Sequence, residues 1–303
     1  MSNFNNEAYQ SLVSDLIGDI FYKDTSVSGR VSFVRKYAEV VIRKILDVNP
    51  NKAVTLGAEN IQNRIKKLPN HEFIETAVET VRKKGNQSTH TQYLEEFNEK
   101  DFDDVVDGLF DLLSYLLISY FEKYEFGSRN DVLYSFSILP PIIRYKVLYF
   151  LHKKYPNNIS VIDKLVLATI KAFSVEETTN WIESEKNTLT KMETVTEKAY
   201  NEMAEKKGIA FAELIRNTSP ANMYILCKDK ISKAGDVINS KGVLYLDFET
   251  ALPYYKSNGI LQGDDLETKE FNDIRCFLYM GRKEKVKEVL IENNPYIVLN
   301  FIS

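Results

Sequence analysis

The sequence is poor in cysteine, the residue on which disulfide-linked domains and many zinc sites depend. Its 303 residues include 2 cysteines, and glycine and proline are also few, at 12 and 8. The cysteines, Cys227 and Cys276, lie far apart in the chain and fit no metal-ligand spacing. A disulfide framework is therefore not the basis of this fold. We expect both cysteines to be buried, apolar side chains of a protein in the reducing cytoplasm.

Long apolar runs and an excess of basic charge are also missing. The longest apolar run, Leu109 to Phe121, is too short to span a bilayer and contains Asp111. Residues Met1 to Tyr9 are polar and lack the basic and apolar regions of a secretion signal. The net charge is −4, which gives no overall signal for nucleic-acid binding. These absences predict a cytoplasmic protein that does not bind membranes.

Most sequence signatures of catalysis are absent as well. The chain has no glycine-rich phosphate loop, no Gly-x-Ser-x-Gly turn and no Cys/His metal set. Two carboxylate pairs, Asp247 with Glu249 and Asp264 with Asp265, lack flanking ligands, so we interpret them as surface acids. The sequence therefore predicts no metal and no cofactor.

What the sequence does contain is helical periodicity over most of its length. The clearest case is residues 101–125, where a wide apolar face is preceded by three aspartates in the first turn. Other predicted helices precede it and follow it, and Gly242 to Phe248 is the one segment compatible with either a strand or a helix. The cluster Gly127-Ser128-Arg129-Asn130 predicts a domain boundary. We therefore predict an all-α protein with a helical bundle in residues 1–126 and a second helical domain in residues 127–303, a sensor or a partner-binding domain.

The stretch from Val81 to His90 combines residues suited to phosphate chemistry. Arg82, Asn86 and His90 are spaced i, i+4 and i+8, so on a helix they share one face. Arg can hold a phosphate in a fork, and His can transfer a proton near neutral pH. The alternative interpretation is an ordinary solvated surface. Gly85 is equally open to two interpretations: a helix end or kink, or a position where a missing side chain lets a backbone or a phosphate approach the face that carries Asn86.

This stretch resembles a known motif. The pattern Arg-x-x-Gly-Asn-x-x-x-His, formed by Arg82, Gly85, Asn86 and His90, is similar to that of one prokaryotic branch of the HEPN superfamily. Its context is similar too, with a helix carrying Arg35 and Glu39 upstream and the apolar helix from Phe102 downstream. The resemblance covers roughly residues 25–126.

The resemblance implies a small helical bundle that acts as a metal-independent endoribonuclease in phage defence or in a toxin system. His90 would then be the general base or acid, Arg82 would stabilise charge on the phosphoryl oxygens, and Asn86 would orient the phosphate or the imidazole. The motif departs from the commonest HEPN pattern, because Lys83 directly follows Arg82 and the polar residue is displaced to Asn86.

Charge along the first half of the chain is divided into two blocks. Residues 30–84 contain 12 Lys and Arg against 6 Asp and Glu, a balance of +6. Residues 85–125 contain 2 against 10, a balance of −8. Solvated helix faces would explain both blocks. If the basic helices pack side by side, however, they could steer RNA towards the motif, and we predict Arg35, Arg43, Lys83 and Lys84 as RNA-binding residues.

Two further hypotheses compete with catalysis. The same face could bind a nucleotide or RNA without cutting it, while residues 127–303 dock a protein partner. Alternatively, Arg82, Asn86 and His90 could form a purely structural hydrogen-bond network. In family members the site is commonly completed by a second copy, so we also predict a homodimer through the N-terminal bundle, unless the C-terminal domain covers the wide apolar face of helix 101–125.

Overall fold

The structure is a computed structural model that describes residues 3–89, 96–243 and 245–285. Fifteen helices form this part of the chain, and it contains no strand, so the predicted all-α class is confirmed. In chain order they are α1 (Asn6–Phe21), α2 (Val27–Ile45), α3 (Glu59–Ile65), α4 (Glu72–Gln87), α5 (Glu99–Lys123), α6 (Asn130–Ser137), α7 (Pro141–Lys154), α8 (Ile159–Ala172), α9 (Val175–Ser184), α10 (Lys186–Leu189), α11 (Glu197–Lys207), α12 (Ile209–Thr218), α13 (Met223–Lys241), α14 (Phe248–Asn258) and α15 (Leu266–Tyr279). None of them is long and apolar enough to cross a membrane.

The sequence of residues 242–248 was compatible with either a strand or a helix. In the structure, the described residues of this segment form a turn between two helices. Gly242 ends α13 with φ of 77°, and Tyr245 has φ of 58°. Both values lie in the left-handed region, which an extended strand does not use. Asp247 then caps α14 by accepting a hydrogen bond from the backbone N–H of Thr250. The described residues of this turn therefore join α13 to α14.

The chain divides into two compact units whose limits differ from the predicted boundary near residue 127. The first unit contains the described residues up to Val147 and those from Asp247 onward. The second runs from Leu148 to Leu246. The Gly-Ser-Arg-Asn cluster that suggested a boundary is instead a turn inside the first unit, between α5 and α6.

The first unit is built on three helices, α2, α4 and α5, which pack against one another, with α1 against α2. Helices α4 and α5 approach closely at Gly108, where a Cβ atom would lie 3.2 Å from Cγ2 of Val81 and 3.3 Å from the carbonyl oxygen of Ala77. Tyr115 on α5 donates a hydrogen bond to the carbonyl of Pro69, just before α4, at 2.6 Å. These contacts fix the position of α4, which carries Arg82 and Asn86.

The wide apolar face of α5 is covered by the chain itself. Thirteen residues of this helix are buried, from Phe102 to Phe121. Part of the cover is α15, since Tyr120 on α5 lies against Phe271 with ring centroids 5.0 Å apart. Part of the apolar face that favoured a dimer in the sequence argument is therefore covered by residues 266–279 of the same chain.

Buried polar groups connect distant parts of the first unit. Arg275 on α15 is fully buried and donates from Nη1 to Oγ and to the carbonyl oxygen of Ser135 on α6. Glu249 on α14 is also buried, and it accepts a hydrogen bond from Arg282 at 2.9 Å. The interpretation of Glu249 as a surface acid was therefore wrong, because the cation that pairs with it lies 33 residues further along the chain.

The second unit has its own apolar core between α8, α9, α10 and α13. Its buried members include Ile162, Val166, Leu226 and Ile231. Cys227 also lies in this core, and burial raises the pKa of its thiol to about 12. Both cysteines are free, but Cys276 in the first unit is exposed, so only Cys227 has the buried position predicted for the pair.

Candidate functional site

Helix α4 carries two of the three residues of the motif. One side of it is buried through Ile74, Ala77, Val78 and Val81, while Arg82 and Asn86 are half-buried on another side. A spacing of four residues places these two side chains about one turn, or roughly 6 Å, apart along the axis. The helix ends at Gln87. His90 lies outside the residues that the structure describes, so its predicted place on the shared face stays a prediction.

Arg82 is held by a carboxylate on its own helix. Its Nε donates to Oε2 of Glu79 at 2.8 Å, and its Nη2 donates to Oε1 of Glu79 at 2.7 Å. The ammonium group of Lys83 lies 3.3 Å from the same Oε1. The hydrogen bond from Arg82 lowers the pKa of Glu79, and that bond raises the pKa of Arg82 in turn. Both shifts favour the charged forms of Glu79 and Arg82.

The missing side chain at Gly85 allows Arg35 to approach α4. A Cβ atom at position 85 would lie 2.5 Å from Cδ, 2.8 Å from Cβ and 2.9 Å from Cγ of Arg35. Gly85 is an interior residue of α4, not its end. Gly85 is therefore not a helix end, and the group found beside it is the aliphatic stem of an arginine, whereas the approach of a backbone or a phosphate stays a prediction.

A carboxylate and a loop adjoin Arg35 and Arg82. Oε1 of Glu39 lies 3.7 Å from Nε of Arg35, and Glu39 also accepts a hydrogen bond from the backbone N–H of Leu56. The next loop residue, Gly57, lies beside Cδ of Arg82, 3.6 Å from where its Cβ would be. Burial raises the pKa of Glu39 by more than the nearby Arg35 lowers it.

The end of α4 is tied to the start of α2 by hydroxyl groups. Oγ of Ser88 is 2.8 Å from Oγ of Ser32, and it donates to the carbonyl oxygen of Gly85 at 3.0 Å. Thr89 donates to the same carbonyl at 3.1 Å. These bonds satisfy a backbone acceptor that the helix end would otherwise leave open. The chain is thus held against α2 as far as Ser88.

The four predicted RNA-binding residues do not form one free basic surface. Arg35 lies over Gly85, and Lys83 is exposed beside Glu79. Arg43 instead donates from Nη1 to the carbonyls of Asn49 and Lys52, at 2.8 and 2.6 Å. Lys84 pairs with Asp101 at 2.7 Å and with Asp104 at 2.8 Å. The last two cations therefore hold the turn after α2 and the start of α5.

Two acidic residues of this site were not among its predicted members, Glu79 and Glu39. Glu79 precedes Arg82 by three residues, the spacing at which helical side chains pair, and this spacing was the available signal. Glu39 was noted only as part of the family context, because its contact with Leu56 depends on the tertiary fold. The described residues contain no group of three or more His, Cys, Asp or Glu side chains placed to hold a metal ion.

Comparisons with known protein families, with curated proteins and with solved structures find no match to this chain.

Proposed function

We propose that this protein is a metal-independent endoribonuclease of the HEPN type that acts in phage defence or as a toxin. Its substrate is RNA, and its site is formed by Arg82, Asn86 and His90. The proposal combines the resemblance of the motif with the geometry around α4. Arg35 and Lys83 assist by binding the RNA backbone.

The reaction is an internal transfer at phosphorus. The ribose 2′ oxygen attacks the adjacent phosphorus, a new O–P bond forms, and the bond from phosphorus to O5′ breaks. The products are a 2′,3′-cyclic phosphate and a 5′-hydroxyl end. His90 removes the proton of the 2′-OH or supplies a proton to O5′. Arg82 stabilises the charge on the phosphoryl oxygens, and Asn86 orients one of them.

The observation that carries the proposal is the state of Arg82. Its guanidinium is fixed by Glu79 through Nε and Nη2 and lies one helical turn from Asn86. The side chain is 29% exposed, so solvent and a ligand can reach it. Arg35 lies close by, over Gly85. A fixed arginine beside an amide and a second cation is suited to binding a phosphodiester.

The test is cleavage of a fluorescent single-stranded RNA by the purified protein in EDTA. We expect the wild type to cut and to leave 2′,3′-cyclic phosphate ends. Arg82→Ala, Asn86→Ala and His90→Ala should each lower the rate by a factor on the order of 10² or more. Activity that requires added Mg²⁺, or that survives His90→Ala at full rate, would overturn the proposal.

We also propose that the active form is a homodimer. One chain offers a single imidazole at the site, whereas cleavage needs both an acid and a base, and a second copy would supply the other. Light scattering at micromolar concentration during RNA cleavage tests this. A monomer that cuts at full rate would rule the dimer out.

A second candidate is a module that binds RNA or a nucleotide without cutting it, with a protein partner on the second unit. Arg82 and Asn86, the two motif residues that the structure describes, lie one turn apart on α4 and would suffice to bind a phosphate without cutting it. Under this function His90→Ala keeps the affinity for RNA and no cleavage is detected in the wild type.

A further inference from the structure

Glu79 contacts Arg82 in a way that leaves part of the guanidinium open. A guanidinium carries five N–H donors, one on Nε and two on each terminal nitrogen. Glu79 occupies one edge, formed by Nε and Nη2. The opposite edge, formed by Nη1 and the second N–H of Nη2, bonds to no residue in the described parts of the chain. That open edge has the spacing of two oxygens of a phosphate.

The stem of Arg82 lies beside a loop, and its head is bound by Glu79. Its Cδ lies beside Gly57, 3.6 Å from the position of a Cβ there. A free arginine on a helix surface samples many rotamers, and binding a ligand requires that this freedom be lost. The two hydrogen bonds to Glu79 restrict the head of Arg82, so part of this freedom is already lost before a ligand binds. Less conformational entropy is then lost when a phosphate binds.

We propose that Glu79 is a positioning residue that holds Arg82 with its open edge towards the phosphate being cleaved. This inference rests on the proposed ribonuclease function. It goes beyond that function by assigning a role to a carboxylate that would otherwise be counted as repelling RNA.

The local charge is consistent with an anion site despite the carboxylate. Glu79 contacts both Arg82 and Lys83, so these three side chains carry a net charge of +1. The rival arrangement is competition, in which Glu79 occupies the edge that the phosphate needs. Competition predicts that removal of the Glu79 charge speeds the reaction, whereas positioning predicts that it slows the reaction.

The experiment is a double-mutant cycle in the full chain, with Glu79→Gln, Arg82→Lys and the double variant cutting the same RNA. We expect Glu79→Gln to lower kcat on the order of tenfold with KM nearly unchanged, because the phosphate still binds but the transition state is less well aligned. In the Arg82→Lys background the same change should have little further effect, since lysine has no fork to orient. A merely structural role of Glu79 would not depend on the residue at position 82.

Glu75→Gln is the matched control, because Glu75 is an exposed acid one turn earlier on α4. It should leave kcat and KM at wild-type values. The inference is overturned if Glu79→Gln cuts as fast as the wild type or faster, or if it loses the same factor in the Arg82→Lys background. Failure of the proposed function has a different result, since neither the wild type nor any variant would then cut RNA.

Discussion

The aliphatic stem of Arg35 fills the space that a side chain at Gly85 would occupy, and this contact joins α2 to the helix that carries Arg82. The nearest atom of Arg35 is only 2.5 Å from the position of a Cβ at residue 85, and its own Cβ is 2.8 Å away. Because Cβ and Cγ of Arg35 are close to its backbone, they cannot swing aside as a flexible side-chain end can. The site therefore depends on glycine at this position.

Gly85→Ala should destabilise the protein. Overpacking costs about 1–3 kcal/mol, and the better helix propensity of alanine offsets about 1 kcal/mol of that. We expect the free energy of unfolding to fall by about 1 kcal/mol in urea titrations followed by circular dichroism. Gly18→Ala is the control, because no atom lies within 4 Å of a Cβ at that position in α1, and it should be neutral or stabilising. Equal effects of the two changes would contradict the contact.

Lys83 and Lys84, neighbours in sequence, should behave differently. Lys84 bridges Asp101 and Asp104, while Lys83 is 66% exposed. Lys84→Ala should lower the free energy of unfolding by up to about 1 kcal/mol, less at high salt. Lys83→Ala should change the free energy of unfolding by less than about 0.5 kcal/mol. A loss of stability in Lys83→Ala but not in Lys84→Ala would contradict this prediction.

Under the proposed function Lys83→Ala weakens RNA binding and lowers the slope of log affinity against log salt by about 1.

Glu39 should make stability depend on pH in the opposite sense to an ion-paired carboxylate. Burial raises its pKa above the ordinary value of 4.5, so the folded state binds this proton more tightly than the unfolded state does. The resulting contribution to stability is fully present when the pH is below the ordinary pKa of Glu39, and it is lost as the pH rises through the raised pKa of the folded state. Glu39→Gln, which mimics the protonated form, should therefore gain stability relative to the wild type as pH rises across that window. A relative loss over the same window would show that pairing with Arg35 outweighs burial.

Ser135→Ala should weaken the first unit by removing a buried bonding partner. Oγ of Ser135 accepts from Nη1 of Arg275 and donates to the carbonyl of Gly259. Leaving these buried groups with fewer partners costs about 1–3 kcal/mol. Ser137→Ala, on the same helix, removes only a bond to the carbonyl of Leu133 and should cost less than about 0.5 kcal/mol. Thermal unfolding of both variants by calorimetry measures the difference.

Deletion of the second unit should be tolerated better than truncation after residue 126. Helix α15 covers part of α5, so a fragment of residues 1–126 exposes the Tyr120 region to water. A chain in which a flexible Gly/Ser linker replaces residues 148–246 keeps that cover. We expect the linked chain to be soluble and to unfold cooperatively, and the fragment to aggregate. If the fragment folds as a stable monomer, α15 is not needed for this bundle.

The helices themselves could be predicted from the sequence, because their signals are local. Between Phe102 and Phe121, apolar residues recur every three or four positions and predict α5. The run from Phe73 to Val81 predicts α4 in the same way, and neither prediction depends on the rest of the chain. Helices α6 and α14, however, were not predicted, and the segment at residues 242–248 was left ambiguous, since four consecutive apolar residues have no period that separates strand from helix. Its geometry is set by two residues with positive φ.

The surroundings of Arg82 were decided partly by sequence and partly by the fold. The spacing of Arg82 and Asn86 on one helix follows from the sequence alone, as does the possible pairing of Glu79 with Arg82. The tertiary structure decided that Arg35 fills the space at Gly85, that Arg43 and Lys84 hold other elements, and that α15 returns to cover α5. These contacts join residues between 6 and about 150 positions apart. A local pattern shows which face of a helix is apolar or charged, but only the packing of the helices determines which distant residue meets that face.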